Sequence, residues 1–591
     1  MMKKFKLFAT PLAMAASLFC AATSFGQTPI TPQIVAVGSS GIFAAAGIAA
    51  VSTDPITSAA APCGTNFWTG NTNVASGLDG RSAGIPSEPG KIWIAWDNST
   101  QPTIVCAFLT VDSVVGQRLF FSQHQSTVTG GQVNGILQLS STAAGSAGSN
   151  LIPYITDTTS LPAVVQQSVN GQQFNIAFTD IRPEDAQYFN IRAQCSPADS
   201  NAQCLGYGPF PVGTAVQSSY SINTATGGQN SAQVVQYNIN GDDPISEYPI
   251  PAFTTIPIGA EAVMHFVNIT DTSAGGFGSL NPTNVNSHVL AVVYAGFLGL
   301  TTDISGTTSV TGKPLHIMLR EPTSGTMNTF EWQIARAKGV DLSQEFGIQY
   351  GTRANCTTFT ASPNPATYAT PVTSGSCTNP LYLLGPDGSF RARVIGTGEA
   401  ISAVNSGNNP NSIGYAFWSF SNFKGKTGLK YLELDGVDPL GLATYTGAFP
   451  TCTGTANSGG LTCQAVPFTG LQQGNYRNFN VLRATYYSSY TAPTTGPSLT
   501  KFIQIAQDQA AKTIFDFLPV TYCANAACSS TVNNLPVFKS HYVLPNQGIN
   551  AADGTHGEAE SGGDVLGSVF TVQADIDYYN TSGSELTEYL Q

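Results

Sequence analysis

Charge is what this sequence has least of. Asp, Glu, Lys and Arg together make up 10% of its 591 residues, so solvation rests on Ser, Thr, Asn and Gln, as is common in exported bacterial proteins. Cations are the scarcer sign: 23 Lys and Arg face 35 Asp and Glu, for a formal net charge of −12. A strongly acidic surface argues against nucleic acid or an anionic membrane as partner. A small anion is still admissible, because a local arginine and helix N-termini dominate the field inside a cleft. Histidine is sparse too. The six residues His124, His265, His288, His316, His541 and His556 are scattered, and His265 and His316 fall in strand-like runs where a hydrogen-bonded core role is expected. No H-E-x-x-H or C-x-x-C occurs and no nucleophile stands beside an obvious base, so no catalytic constellation, metal site or cofactor is expected. The nearest approach to a nucleotide loop, Gly306 to Gly312-Lys313-Pro314, has one residue too many and lacks the Ser/Thr that holds magnesium. Beyond the first residues, no apolar run nears the roughly 20 needed to span a bilayer.

What is present begins with a leader. Lys3, Lys4 and Lys6 precede an apolar stretch, Leu7 to Ala22, and small residues lead to Gly26. This pattern predicts a secretory signal peptide over 1–26 and a periplasmic or secreted mature chain. Losing the three leader lysines takes the formal charge from −12 to −15. Of 11 cysteines, Cys20 leaves with the leader; Phe19 before it does not suit a lipoprotein signal. Ten remain, an even number for an oxidising compartment. They fall into sequential pairs: Cys63 with Cys106, Cys195 with Cys204, Cys356 with Cys377, Cys452 with Cys463, and Cys523 with Cys528. Disulfides are favoured over metal, since no histidine stands at ligand spacing; the pairing is open at this level.

Hydrophobic residues at 42% are ample for a packed core, and the length suggests more than one lobe. Short apolar runs alternate with helical stretches, as in an α/β protein. Three runs end in polar turns. Ile34 to Val37 leads to Gly38-Ser39-Ser40-Gly41-Ile42-Phe43 and a helix over Ala44 to Val51. Asn175 to Thr179 ends in Asp180 ahead of Pro183-Glu184-Asp185-Ala186. Leu315 to Leu319 leads to Arg320-Glu321-Pro322-Thr323-Ser324-Gly325-Thr326 and a helix from Met327. Strand, small-residue turn and helix together leave unpaired N–H groups at the helix start, with hydroxyls and a guanidinium near them. Arginine forks onto two oxygens while hydroxyls and amides take the others, which is the chemistry of an oxyanion pocket.

The order and content of these elements resemble the phosphate-type periplasmic solute-binding proteins of the type 2 periplasmic binding protein superfamily. Gly38 to Phe43 resembles their first glycine-rich loop, Ile176 to Asp180 the segment ending in their ligand-binding aspartate, and Ile256 to Asn268 the strand crossing into the second lobe. Arg320 with Ser324-Gly325-Thr326 is similar to their arginine and oxyanion turn. Asn411-Ser412-Ile413-Gly414-Tyr415 resembles their late "IGY" strand, and Val111 to Gly116 stands for their serine-bearing second loop through Ser113. The resemblance covers most of residues 30–545, interrupted by loop or β-rich insertions at 52–100, 125–172, 190–245 and 345–390. It implies a two-lobed α/β fold: 27–251 and 429–545 form lobe one, 252–428 lobe two, and 546–591 a tail outside the pattern. It also implies a monomer that binds a small, phosphate-like oxyanion through Ser39, Ser40, Gly41, Phe43, Ser113, Asp180, Arg320, Ser324, Gly325 and Thr326, with a membrane permease as partner. Two positions depart from the family. Pro322 stands where an aspartate is usual, and Ile42 where a threonine is.

Other roles stay open. Arg320 suits a surface ion pair with Glu321 or Asp303, and Asp180 suits an N-cap of the helix near Pro183. Ser324 and Thr326 suit ordinary caps, and Ser113 a plain loop. A function of another class is also open: a secreted structural or adhesive protein that uses the same fold as a scaffold, in keeping with its insertions, its cysteines and its low charge.

Overall fold

The computed structural model describes residues 31–71, 91–121, 136–137, 160–183, 203–209, 250–334, 382–454 and 462–519, with short interruptions inside these stretches. The expected leader and tail, and Pro322, lie outside them. Among the described residues no helix is long and apolar enough to cross a membrane.

The chain opens with strand β1 (Ile34–Gly38), helix α1 (Phe43–Val51), and strands β2 (Asn66–Asn71), β3 (Lys91–Trp96) and β4 (Val105–Thr110). Helix α2 (Ser113–Phe121) and strand β5 (Ile176–Thr179) follow. Long strand β6 (Phe253–Asn268) leads into β7 (His316–Arg320), α3 (Gly325–Phe330), β8 (Tyr382–Leu384), β9 (Phe390–Val394), α4 (Gly396–Val404) and β10 (Ser412–Phe417). The described part ends with α5 (Phe420–Phe423), β11 (Leu429–Tyr431), β12 (Phe479–Tyr487), α6 (Leu499–Gln509) and β13 (Leu518–Pro519).

Thirteen strands join in one sheet of order β8-β9-β7-β10-β6-β12-β5-β1-β4-β3-β2, with β11 and β13 pairing onto β6. The same arrangement occurs twice in it. In one half β1 runs parallel to β4 and β5, and β12 returns antiparallel beside β5. In the other half β7 runs parallel to β9 and β10, and β6 lies antiparallel beside β10. The central strands are buried along nearly their whole length, which is why they read as unbroken apolar runs rather than alternating ones.

β6 links the halves. Its residues Phe253 to Ala262 pair with β12, and Val263 to Val267 pair with β10. The register slips between Pro257 and Gly259, where proline has no N–H to give the ladder. Two hydrophobic cores meet along this strand. One holds Ile34, Ala45, Phe108, Phe178, Ile258, Leu482 and Phe502; the other holds Ala260, Phe266, Ile317, Phe330, Tyr415, Val481 and their neighbours. The protein is a two-lobed α/β molecule, each lobe built on its own half of the sheet.

One boundary differs from expectation. Leu429, Tyr431, Leu440, Phe468, Tyr476 and Phe479 pack into the second core, so the chain returns to the first lobe inside β12 near Leu482, not at 429. Backbone pairing of β11 with β6 holds that stretch in place.

Each lobe carries one disulfide among the described residues. Cys63–Cys106 ties the segment after α1 to β4, and Cys452–Cys463 joins facing positions of a short hairpin. Both match the sequential pairing. The other three expected pairs are not among these bonds. Cys204 ends a two-residue strand, Gln203–Cys204, but its expected partner Cys195 lies outside the described residues. Cys356 and Cys377 both lie outside them, and so do Cys523 and Cys528. These three bridges therefore stand as expectations from the sequence.

Candidate functional site

Three parallel strands of the first lobe end side by side. β1 ends at Gly38, whose φ of 138° and closeness to β5 admit only glycine: a Cβ there would overlap the Phe178 carbonyl oxygen. The next amide, Ser39 N–H, donates to that same oxygen at 2.8 Å. Ser39 Oγ then accepts from the Gly41 N–H at 3.2 Å and starts a single 3-10 turn, Ser40–Ile42. β4 ends before α2, which approaches closely because Gly116 has no side chain; a Cβ on it would press into Gly38 Cα. That contact brings Ser113, the first residue of α2, over the end of β5. Gln117, one turn on, donates to Thr179 Oγ1 and to the Ile181 carbonyl, each at 2.8 Å, and so fixes the bend that carries Asp180.

The second lobe repeats the arrangement with different chemistry. β7 ends at Arg320, whose backbone N–H donates to Tyr415 Oη at 3.3 Å. Tyr415 stacks on Phe330 of α3 at 4.6 Å, so strand end and helix are braced by one aromatic pair. Arg320 Nη1 donates to Thr326 Oγ1 at 3.2 Å and to Thr397 Oγ1 at 3.4 Å. Ser324 caps α3, its Oγ accepting from Met327 N–H at 3.4 Å and its carbonyl from Asn328 Nδ2 at 2.7 Å.

The two sets meet. Ser113 Oγ donates to Asp180 Oδ1, and a Cβ on Gly325 would overlap that same oxygen. The carboxyl of one lobe therefore rests directly on the Ser-Gly-Thr turn of the other. Gly41 sits in the same seam: a Cβ on it would lie 2.5 Å from Glu261 Oε2 on the crossing strand and 3.4 Å from Phe417 at the end of β10. Ser39, Ser113, Asp180, Arg320, Ser324 and Thr326 are all at most 3% exposed. Burial pushes Asp180 up to about 6; the Ser113 hydroxyl, its own backbone amide, the Arg320 charge and the Ser39 hydroxyl each pull the other way. The site thus offers one carboxyl bound by a hydroxyl, one guanidinium and several further hydroxyls.

Of the ten residues picked from sequence, Ser39, Gly41, Ser113, Asp180, Arg320, Ser324, Gly325 and Thr326 come together here. Ser40 and Phe43 do not: they line a separate cavity outside α1. The 3-10 turn rotates them away. The Phe43 N–H is spent on the Ser40 carbonyl, its ring packs on Phe108 at 5.6 Å, and its carbonyl accepts from Trp93 Nε1 at 3.2 Å. Ile42, where a hydroxyl was wanted, is buried in the first core. Arg320 is 2% exposed, which excludes the surface ion-pair role.

Two residues went unnoticed in the sequence. Thr397 follows β9 within Gly396-Thr397-Gly398, the same strand–glycine–helix pattern seen at the other strand ends. Glu261 is fully buried in the apolar run Ala260 to Val263, where an acid is costly and so informative.

No family model and no curated protein sequence matches this chain. Solved structures similar to it include the ancestral soluble variant of the human phosphate binding protein, 12% identical, covering 80% of this chain and 84% of that one at a TM-score of 0.31. Another is the high-affinity periplasmic phosphate-binding protein PfluDING, 11% identical, with 81% and 87% covered and a TM-score of 0.30. A third is an ABC-type phosphate transport receptor from Vibrio cholerae, 13% identical, with 45% and 70% covered and a TM-score of 0.21. The class assigned here, a two-lobed α/β protein with a polar seam at its strand ends, rests on strand order, pairing and the two cores.

Proposed function

We propose that the seam between the lobes binds a small oxyanion carrying a proton, of the phosphate class, and that the protein is an exported solute-binding protein. The observation that carries this reading is the convergence of Asp180 and Arg320, from different lobes, on the Ser-Gly-Thr turn. Arg320, held by Thr397, supplies the positive charge and a forked donor, while Ser39, Ser113 and Thr326 supply hydroxyls that turn to suit the ligand. Asp180 sets the selectivity. Its carboxylate repels an anion in a dry seam unless that anion offers an O–H, which hydrogen phosphate does at neutral pH and sulfate does not. With Pro322 in place of a second carboxylate, the preference is weaker than in the family that the sequence resembles. Delivery to a membrane permease belongs to the same reading. Native mass spectrometry of the purified mature protein tests it. A retained anion of phosphate mass supports it, and a chain that stays ligand-free with excess phosphate favours the scaffold alternative.

A further inference from the structure

The outer face of α1 carries a cavity of about 380 Å³, which the oxyanion reading does not use. Ser40, from the turn before the helix, and Phe43, Gly47, Ile48 and Val51 of the helix form one wall. Phe67, Thr69, Lys91 and Trp93, from the paired strands β2 and β3, form the facing wall. Ser421 and Asn422 of α5, in the second lobe, complete the rim.

Three features mark this as a place for a ligand. The first is aromatic surface open to solvent. Phe67 is 38% exposed, and its ring stacks beside Trp93 at 6.1 Å and 30°. Gly47 lets both rings lie against the helix, since a Cβ there would be 3.2 Å from the indole and 3.4 Å from Phe67. The second is charge. Lys91 lines the cavity and has no ion-pair partner among the described residues, in a protein whose formal charge is −12. The third is size and make-up. The cavity stands at the lower end of the roughly 300–1,000 Å³ used by small-molecule sites, and it has the usual apolar walls with a few polar groups.

We infer that this cavity is a second binding site, for a small amphipathic carboxylate: an aromatic or branched apolar body lying on Phe67, Ile48 and Val51, with its carboxylate on Lys91. A ligand here touches α1 of one lobe and α5 of the other. It also abuts the turn whose Ser39 and Gly41 face the oxyanion seam, but it shares no side chain with that seam, since the geometry assigns Ser40 and Phe43 to the cavity.

The probes are 4-phenylbutyrate and its uncharged analogue 4-phenylbutanol, titrated by calorimetry into the mature full-length protein. The acid should bind about fivefold more tightly than the alcohol, the size of a partly exposed ion pair. Lys91→Met should remove that difference and leave the alcohol unchanged. Thr69→Trp, an aromatic residue at a strand position that favours it, should fill the cavity and abolish both. Phosphate titration in each variant reads the seam separately, so failure here does not touch the oxyanion reading. Absence of 4-phenylbutyrate binding overturns the inference. So does equal binding of acid and alcohol by the native protein, or binding that survives in Thr69→Trp.

Discussion

The two lobes share a strand order yet divide the chemistry between them. In the first, the ends of β1, β4 and β5 bring hydroxyls and one carboxyl, Ser39, Ser113 and Asp180, with no cation among them. In the second, the ends of β7 and β9 bring the guanidinium of Arg320, two threonines that hold it, and the Ser-Gly-Thr turn. Neither set alone can neutralise an anion and also test whether it carries a proton. On the proposed reading only apposition of the lobes does both, and Asp180 against Gly325 is one place where they touch. A second bridge lies beyond the crossing strand. There Asp516 Oδ1 accepts from Phe420 N–H at 3.0 Å and the Phe515 carbonyl from Trp418 Nε1 at 2.9 Å.

The largest blow to this arrangement is Arg320→Met. It removes the cation whose charge acts on the buried Asp180 carboxyl and takes the donor from the Thr326 and Thr397 hydroxyls, a class of change that costs about 1–3 kcal/mol. Phosphate binding should vanish, and the Asp180 titration, followed by NMR, should move above its starting point of about 6. An unmoved titration would mean that the guanidinium does not act on Asp180.

Acidity probes the same carboxyl from the other lobe. Because the folded protein holds the Asp180 proton up to about 6 against 3.8 in the free side chain, the folded state binds more protons between those values. Stability from this group is therefore full below about pH 4 and is lost as pH rises through about 6, on the order of 3 kcal/mol. Asp516, pushed up to about 7 by burial, extends the loss to slightly higher pH. Denaturant melts of Asp180→Asn should lose roughly a third of the slope between pH 4 and 6 and none above it, since Asp516 and Asp508, both pushed up to about 7, carry like shares there, whereas those of Asp516→Asn should lose a like share that continues to about pH 7.

Glycine substitutions separate the lobes' tolerances. Gly325→Ala drives a methyl into the Asp180 carboxyl and should cost about 1–3 kcal/mol together with much of the phosphate affinity. Gly41→Ala meets the end of the Glu261 side chain, which can give way, and should cost less. Equal losses in thermal melts would show that the seam does not press on Gly325. Smallest is Thr397→Val, which removes one hydroxyl from Arg320 and should weaken phosphate binding by about 1 kcal/mol, read by calorimetry, with little change in melting. A full loss of binding would make Thr397 a direct ligand rather than a support.

Much of this was legible beforehand because parallel strands buried on both faces announce themselves. The runs ending at Gly38, Asp180 and Arg320 are apolar almost throughout and stop abruptly at polar turns. Ser113 comes into place through Gly116, whose packing on Gly38 no local pattern predicts. Ser40 and Phe43 fall outside the seam because a sequence shows that a turn exists but not how it rotates the residues within it. Thr397 was hidden among many Gly/Ser/Thr turns, and only its distance from Arg320 singles it out. The lobe boundary failed for a related reason: Leu429 to Val481 contains apolar residues suited to either core, and pairing of β11 with β6 decides between them.

The central claim is that Asp180 of one lobe and Arg320 of the other form a single proton-reading anion site. Calorimetric titration of phosphate and sulfate into the native protein and into Asp180→Asn tests it most directly. Native protein should bind phosphate more tightly than sulfate, and Asp180→Asn should narrow that gap chiefly by admitting sulfate. Equal affinity of the native protein for the two anions, or an unchanged gap in the variant, would contradict it.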